Sequence, residues 1–177
     1  LAAWSVTAHL LTGNAVNVSL WLAGCRLRGT KELPVPKKWQ LWLAISTTIL
    51  LVVQLGLGGV VSSTFSGLAC PAWPTCNGVD FFPTFAGSVG LQIAHRWTAV
   101  LLLALSTFAA YGLYKKAGGE WQLATTILLC LQVGVGIANV LLGLPVEITG
   151  LHSGLAAAIV LTQSRATHDA WCASRMT

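Results

Sequence analysis

Five apolar stretches, each near the length needed to cross a bilayer, constrain this chain more than any other feature. They occupy residues 1–23, 39–61, 88–114, 121–144 and 148–163, and the segments between them hold most of the charge. A hydrocarbon core of about 30 Å takes roughly 20 apolar residues as a helix. None of the five shows a two-residue alternation, and a lone strand would leave its backbone unsatisfied in lipid, so the chain reads as all-α. Only 8% of the residues are charged, against roughly 25% in a soluble domain. No water-facing surface can be built from that, which excludes a cytosolic enzyme, a nucleic-acid module and a disordered tail. The expected architecture is a polytopic transmembrane helix bundle of five spans, with membrane lipid around it.

The linkers give an orientation. Arg26, Arg28, Lys31, Lys37 and Lys38 lie between the first two spans, Lys115 and Lys116 between the third and fourth, and Arg165 after the fifth. Residues 62–87 contain neither Lys nor Arg. Positive residues stay on the cytoplasmic side. The 62–87 loop is therefore expected outside a bacterial cell membrane, and the C-terminus inside. Nothing resembles a signal peptide with its charged start and small-residue cleavage site. Leu1 opens within an apolar run and the sole methionine is Met176, so a piece of a longer protein is expected.

An internal repeat organises the rest. The second span carries Gln54-x-Gly56-x-Gly58 and the fourth carries Gln132-x-Gly134-x-Gly136. Each is followed by a span with a histidine near its outer end, His95 and His152. The chain thus holds two copies of one helix pair, and repeats of this kind commonly place a site between the copies. The first span, with His9 near its outer end, reads as the second helix of a pair whose first member is missing. The expected organisation is 1–38, the last helix of a truncated bundle plus a basic linker; 39–165, a four-helix bundle; and 166–177, a cytoplasmic tail.

A histidine inside a span is costly unless partnered and marks a functional-site hypothesis. At 1.5 Å per residue, His95 lies ~30 Å from Lys115, His9 ~26 Å from Arg26 and His152 ~20 Å from Arg165, all in the outer half. The third and fifth spans run the same way, so in a four-helix bundle they face each other diagonally. Haem iron takes four ligands from its macrocycle, and two facing imidazoles complete it. On the His95 face lie Gln92, Ala99 and Leu102, and on the His152 face Thr149, Ala156 and Ile159, leaving room for a flat macrocycle. Arg96, beside His95, has the chemistry to pair with a haem propionate. Plainer readings stand next to these. Gln54, Gln132 and Asn139 serve equally as polar glue between helices, the glycines as close-packing positions, Arg96 as a snorkelling residue and His9 as a packing residue. Trp39, Trp42 and Trp121 at span ends are interfacial anchors.

Cys70 and Cys76 are the only cysteines expected on the outer side, where disulfides persist. Three uses are open: a structural staple for an irregular loop, a redox-active disulfide, or half of a metal site. Cys25, Cys130 and Cys172 are expected to be unpaired.

The string Ser66-Gly67-Leu68-Ala69-Cys70-Pro71-Ala72-Trp73-Pro74-Thr75-Cys76-Asn77-Gly78, with Ile93-Ala94-His95-Arg96 and the run from Gln132 to Leu144 followed by His152, resembles the heme A synthase family across residues 1–165. The resemblance implies eight spans in two pseudo-symmetric four-helix bundles, each with a pair of axial histidines. It implies that one half holds the substrate haem O and the other a haem b that relays electrons, while a ring methyl of haem O becomes a formyl. Carried over by position, His95 and His152 are the haem b ligands, His9 a surviving ligand of the substrate half, and Cys70–Cys76 the loop disulfide. The family's catalytic half has a glutamate three residues before its first histidine. Gln92 stands at that spacing here, which implies a cofactor role for this half and incomplete chemistry for the chain alone. An electron donor, haem O synthase and terminal-oxidase assembly factors are the implied partners. Two alternatives come from other classes: a b-type membrane cytochrome for quinol-linked electron transfer, and a thiol-redox membrane protein built on Cys70 and Cys76. The tail after Arg165 matches nothing in the family.

Overall fold

The computed structural model describes residues 2–27 and 34–175; Leu1, Arg28, Lys31 and Met176 lie outside the described residues. Five α-helices follow in order: α1 (Ala3–Leu27), α2 (Lys38–Ser63), α3 (Gly87–Gly112), α4 (Gly119–Leu141) and α5 (Val146–Ser174), with one 3-10 turn at Ser66–Leu68. There is no strand among the described residues. The reason is local: an α-helix satisfies its backbone within one segment, which lipid demands.

Three of the five, α2, α3 and α4, are long and apolar enough to cross a membrane, with mean hydropathies of 2.0, 1.4 and 1.9 over their best stretches. The chain is an integral membrane protein. The expectation of five spans is thus met on composition by three helices. Asn14, Asn17 and His9 dilute α1, and α5 runs from Glu147 to the polar residues Arg165, His168 and Asp169.

Helices α2 to α5 form a ring: α2 packs on α3, α3 on α4, α4 on α5, and α5 on α2, with α1 outside against α2 and α5. Helices α3 and α5 therefore stand across a diagonal. The central core takes a buried residue from each ring helix, namely Leu51, Leu102, Leu129 and Ile159. These obey the internal repeat. Gln54 and Gln132 each stand three residues after a core leucine, and His95 and His152 each seven residues before a core residue. A seven-residue step keeps a helix face, so the histidines point toward the same interior as Leu102 and Ile159.

The interior is partly polar and the exterior largely apolar, the reverse of a soluble domain. Ile49, Val52, Leu101, Phe108, Ile127 and Leu131 are exposed, whereas Thr47, Ser106, Gln122, Thr125 and Gln163 are fully buried. Below the core, Gln122 Nε2 donates to Ser106 Oγ at 3.1 Å and Gln163 Nε2 donates to the Ala44 carbonyl at 3.1 Å. Thr125 and Thr162 bridge α4 and α5 through their hydroxyls at 2.9 Å. Such bonds hold helices together where lipid offers no competing hydrophobic drive.

Residues 64–86 and 142–145 share one end of the ring, here the loop end, where any side chain at Gly67 would strike Leu144. At the far end, α5 continues without a break past Arg165 to Ser174, so the sequence 166–174 is helix where an appended tail is expected. Ala166, Ala170 and Ala173 are buried. Ala170 packs with Ala44 and Leu113, and Arg165 pairs with Asp169 at 2.8 Å one turn on. Packing sustains a helix here after hydropathy has ended.

Gly118, at the N-cap of α4, seats that helix against α5. Its φ is +84°, and a Cβ there would lie 2.2 Å from the Ala166 carbonyl oxygen. Gly118→Ala combines left-handed strain with a backbone clash, each costing of order 1–3 kcal/mol. Thermal unfolding in detergent is expected to show a clear loss of stability; an unchanged midpoint contradicts this packing.

Candidate functional site

The two repeat histidines are seated by the same device. On α2, Gln54 and Gly58 stand one turn apart and face His95 of α3. Gln54 Nε2 lies 3.1 Å from the His95 carbonyl oxygen, to which it donates, and 3.1 Å from His95 Nδ1. A Cβ at Gly58 would sit 3.1 Å from His95 Cε1. On α4, Gln132 Nε2 donates to the His152 carbonyl of α5 at 3.0 Å, and a Cβ at Gly136 would sit 3.1 Å from His152 Cε1. In each copy, glutamine fixes the backbone of the histidine turn and glycine, four residues on, clears space for the ring. The copies differ at one atom: His95 Nδ1 has Gln54 beside it, while His152 Nδ1 is buried without a partner.

The imidazoles are carried by α3 and α5, the helices that stand across a diagonal of the ring. Among the described residues, no three His, Cys, Asp or Glu side chains converge on a metal ion. Two imidazoles alone make a poor site for a bare cation. They do suit a metal that brings its other ligands with it, as a porphyrin iron brings four. A buried ring nitrogen lacking a partner and two glycine cradles fit that group.

Gln92 and Arg96 turn toward the loop end. Gln92, buried one turn before His95, donates through Nε2 to the Gly67 carbonyl at 3.0 Å. Arg96 donates to the carbonyls of Ala72 at 2.9 Å, Thr75 at 3.3 Å and Cys70, with its guanidinium 5.7 Å from the Trp73 ring centroid. The guanidinium expected to meet a propionate is thus engaged by three loop carbonyls, because the irregular backbone at 70–75 has no ladder of its own. Cys70 and Cys76 are joined in a disulfide, and both sulfurs pack with Ile93 of α3 in a buried cluster. The expected pairing is present. The metal reading of these cysteines fails because both sulfurs are spent on each other.

His9 is exposed on α1 and joins neither histidine. Helix α1 meets α2 elsewhere, where Thr7 and Leu10 close over Gly59. Asn139 does act as glue, accepting from Thr149 Oγ1 at 2.9 Å. The roles of Gln54, Gly58, Gln132 and Gly136 toward the histidines were not singled out from the sequence, although the repeat held the signal: each motif falls on the helix preceding a histidine-bearing helix.

A sequence model of the cytochrome oxidase assembly protein family, COX15-CtaA, matches residues 2–164. The heme A synthase of Shewanella oneidensis is 30% identical over 211 aligned positions, covering all of this chain and 64% of that protein. The heme A synthase of Methylobacterium nodulans is 31% identical over 180 positions, covering 88% of this chain and 48% of that protein. That of a Bradyrhizobium species is 31% identical over 179 positions, with 89% and 48% covered. The chain spans about half to two thirds of the length of these curated relatives.

Proposed function

Since this chain belongs to the COX15-CtaA family of cytochrome oxidase assembly proteins, with heme A synthases among its relatives, we propose that it is the electron-relay portion of a membrane oxidoreductase of heme A formation. The reaction of the whole protein turns a ring methyl of haem O into the formyl of haem A. Residues 39–165 form the relay bundle, and His95 and His152 are the residues that would hold a haem b. The observation that carries this reading is the duplicated glutamine–glycine–histidine device, present at matching depth on both diagonal helices.

A haem b bound there would supply one-electron transfer chemistry. The chain's own residues supply position. Gln54 and Gln132 hold the histidine turns, Gly58 and Gly136 leave the rings free to be presented to the interior, and the Leu51, Leu102, Leu129 and Ile159 layer excludes water from the far end. Gln92, occupied by Gly67, offers no acid next to His95, which supports relay rather than hydroxylation in this half. The exposed His9 supports a ligand role toward helices outside this ring, in the haem O half.

Orientation follows from charge. Arg26, Lys37, Lys38, Lys115, Lys116 and Arg165 cluster toward the far end and residues 64–86 carry no Lys or Arg, so the loop end faces outward and α1 and α5 complete five crossings. The buried Cys70 and Cys76 sulfurs weigh against a thiol-exchange function for that pair. Quinol-linked electron transfer has no separate observation in its favour.

Haem b titrated into the purified chain in detergent tests the reading. Stoichiometric binding is expected, with the optical and electron paramagnetic resonance spectra of a six-coordinate low-spin iron. A five-coordinate high-spin iron, or no saturable binding, overturns the bis-histidine assignment.

A further inference from the structure

We propose that residues 81–86 are a lipid anchor, with Phe81, Phe82 and Phe85 seated among phospholipid acyl chains beside Trp97 of α3. The relay function does not use this segment. Phe82 is the hub: its ring centroid lies 5.4 Å from that of Trp97, 5.7 Å from Phe85 and 6.4 Å from Phe81. All four side chains are exposed. Along α3, the exposed Trp97, Leu101 and Phe108 stand at i, i+4 and i+11, which is one stripe of the helix. On a helix able to cross a membrane, an exposed apolar stripe faces lipid. The loop rings continue that surface, and an open groove of about 310 Å³ runs between Phe82 and Phe85 on one side and Ile93, Trp97 and Leu101 on the other. Helix α1, outside the ring, lies against α2 and α5, which leaves this flank of α3 to lipid.

Helix length sets the depth. The 26 residues of α3 extend ~39 Å, against a hydrocarbon core of about 30 Å. At most ~9 Å of the helix can then protrude at the loop end. Trp97 stands ~15 Å along α3 from Gly87, so it lies within the hydrocarbon wherever the helix sits. Phe82, in ring contact with Trp97, is thereby carried to the same boundary.

The backbone sets a limit in the other direction. Irregular chain exposed to lipid is not tolerated within the hydrocarbon, so the backbone of 81–86 stays among the headgroups and the rings alone dip. The segment leaves water at Asp80, the one charged residue of 64–86, and no Lys, Arg, Asp or Glu follows until Arg96. Asp80 is held by the turn before it: its N–H donates to Asn77 Oδ1 at 2.7 Å, and its carbonyl accepts from the Cys76 N–H at 2.8 Å.

Photolabelling from within the bilayer tests the anchor. The chain is placed in phosphatidylcholine vesicles containing a phosphatidylcholine with a diazirine on one acyl chain, and the adducts are located by peptide mass spectrometry. Adducts are expected on 81–86 as well as on Leu101 and Phe108. The double variant Phe82→Ser, Phe85→Ser should lose the loop adducts while Leu101 and Phe108 keep theirs. Labelling of Leu101 and Phe108 without 81–86, or loop labelling unchanged in the double variant, overturns the proposal. Loop adducts that vanish as the protein-to-lipid ratio rises would identify a second copy of the chain as the occupant, and overturn it too. If the double variant loses the α3 adducts as well, its fold is damaged and the parent's pattern alone decides.

Discussion

Gly136→Leu is expected to abolish haem retention as completely as His152→Ala. Gly58→Leu should do the same for His95. A Cβ at either glycine already sits 3.1 Å from the imidazole Cε1, closer than nearly all real contacts, and leucine adds three more carbons in the same direction. The histidine backbone is held at its carbonyl by Gln132 or Gln54, so the ring can yield only by turning about its side-chain bonds and out of its seat. Changes to groups that orient a metal ligand typically weaken binding by about 10–100-fold, and displacing the ligand itself falls at or beyond the upper end. Haem titration followed by absorption spectroscopy reads the effect directly. Gly134→Leu is the control. That glycine shares the helix and the motif, yet a Cβ there meets nothing within 4 Å, so near-parental binding is expected. Equal losses at Gly134 and Gly136 would show that the helix, and not the ring seat, was damaged.

Arg96→Leu has the second large effect, on the loop. Three backbone carbonyls, those of Cys70, Ala72 and Thr75, lose their donor together. A carbonyl left unsatisfied costs about 1–3 kcal/mol when buried, and these are only partly so, giving a total of about 2–4 kcal/mol. Arg96→Lys should recover little, since an ammonium cannot reproduce the planar fork that spans three acceptors. Limited proteolysis is expected to cut within residues 64–86 much faster in Arg96→Leu, with a lower unfolding midpoint. Were Arg96 instead the partner of a haem propionate, haem affinity would fall while the loop stayed protected. That outcome would support the sequence-based assignment.

Much of the ring was legible in the sequence. The starts and ends of α2, α3 and α4 fall within a few residues of the expected spans, because hydropathy and the positions of Gly and Lys punctuate them. The repeat, too, was readable as residue spacing. Helix α5 was not: its last three turns follow the packing of Ala166, Ala170 and Ala173, and alanines among charged residues carry no span signal. Arg96 was placed on the right helix, but its contacts with the loop carbonyls were not foreseen. Its carbonyl acceptors come from a loop 21 to 26 residues earlier, folded in a way that no periodicity encodes.

Helical, membrane-embedded and duplicated are properties written in the order of residues alone, because lipid forces every backbone bond to close within its own segment and a repeat repeats its consequences. Which atoms meet across helices is settled by packing. Gln54 and Gly58 belong to His95, and Gln132 and Gly136 to His152, by the rotation and depth at which two helices pack, and these depend on all the side chains between them at once.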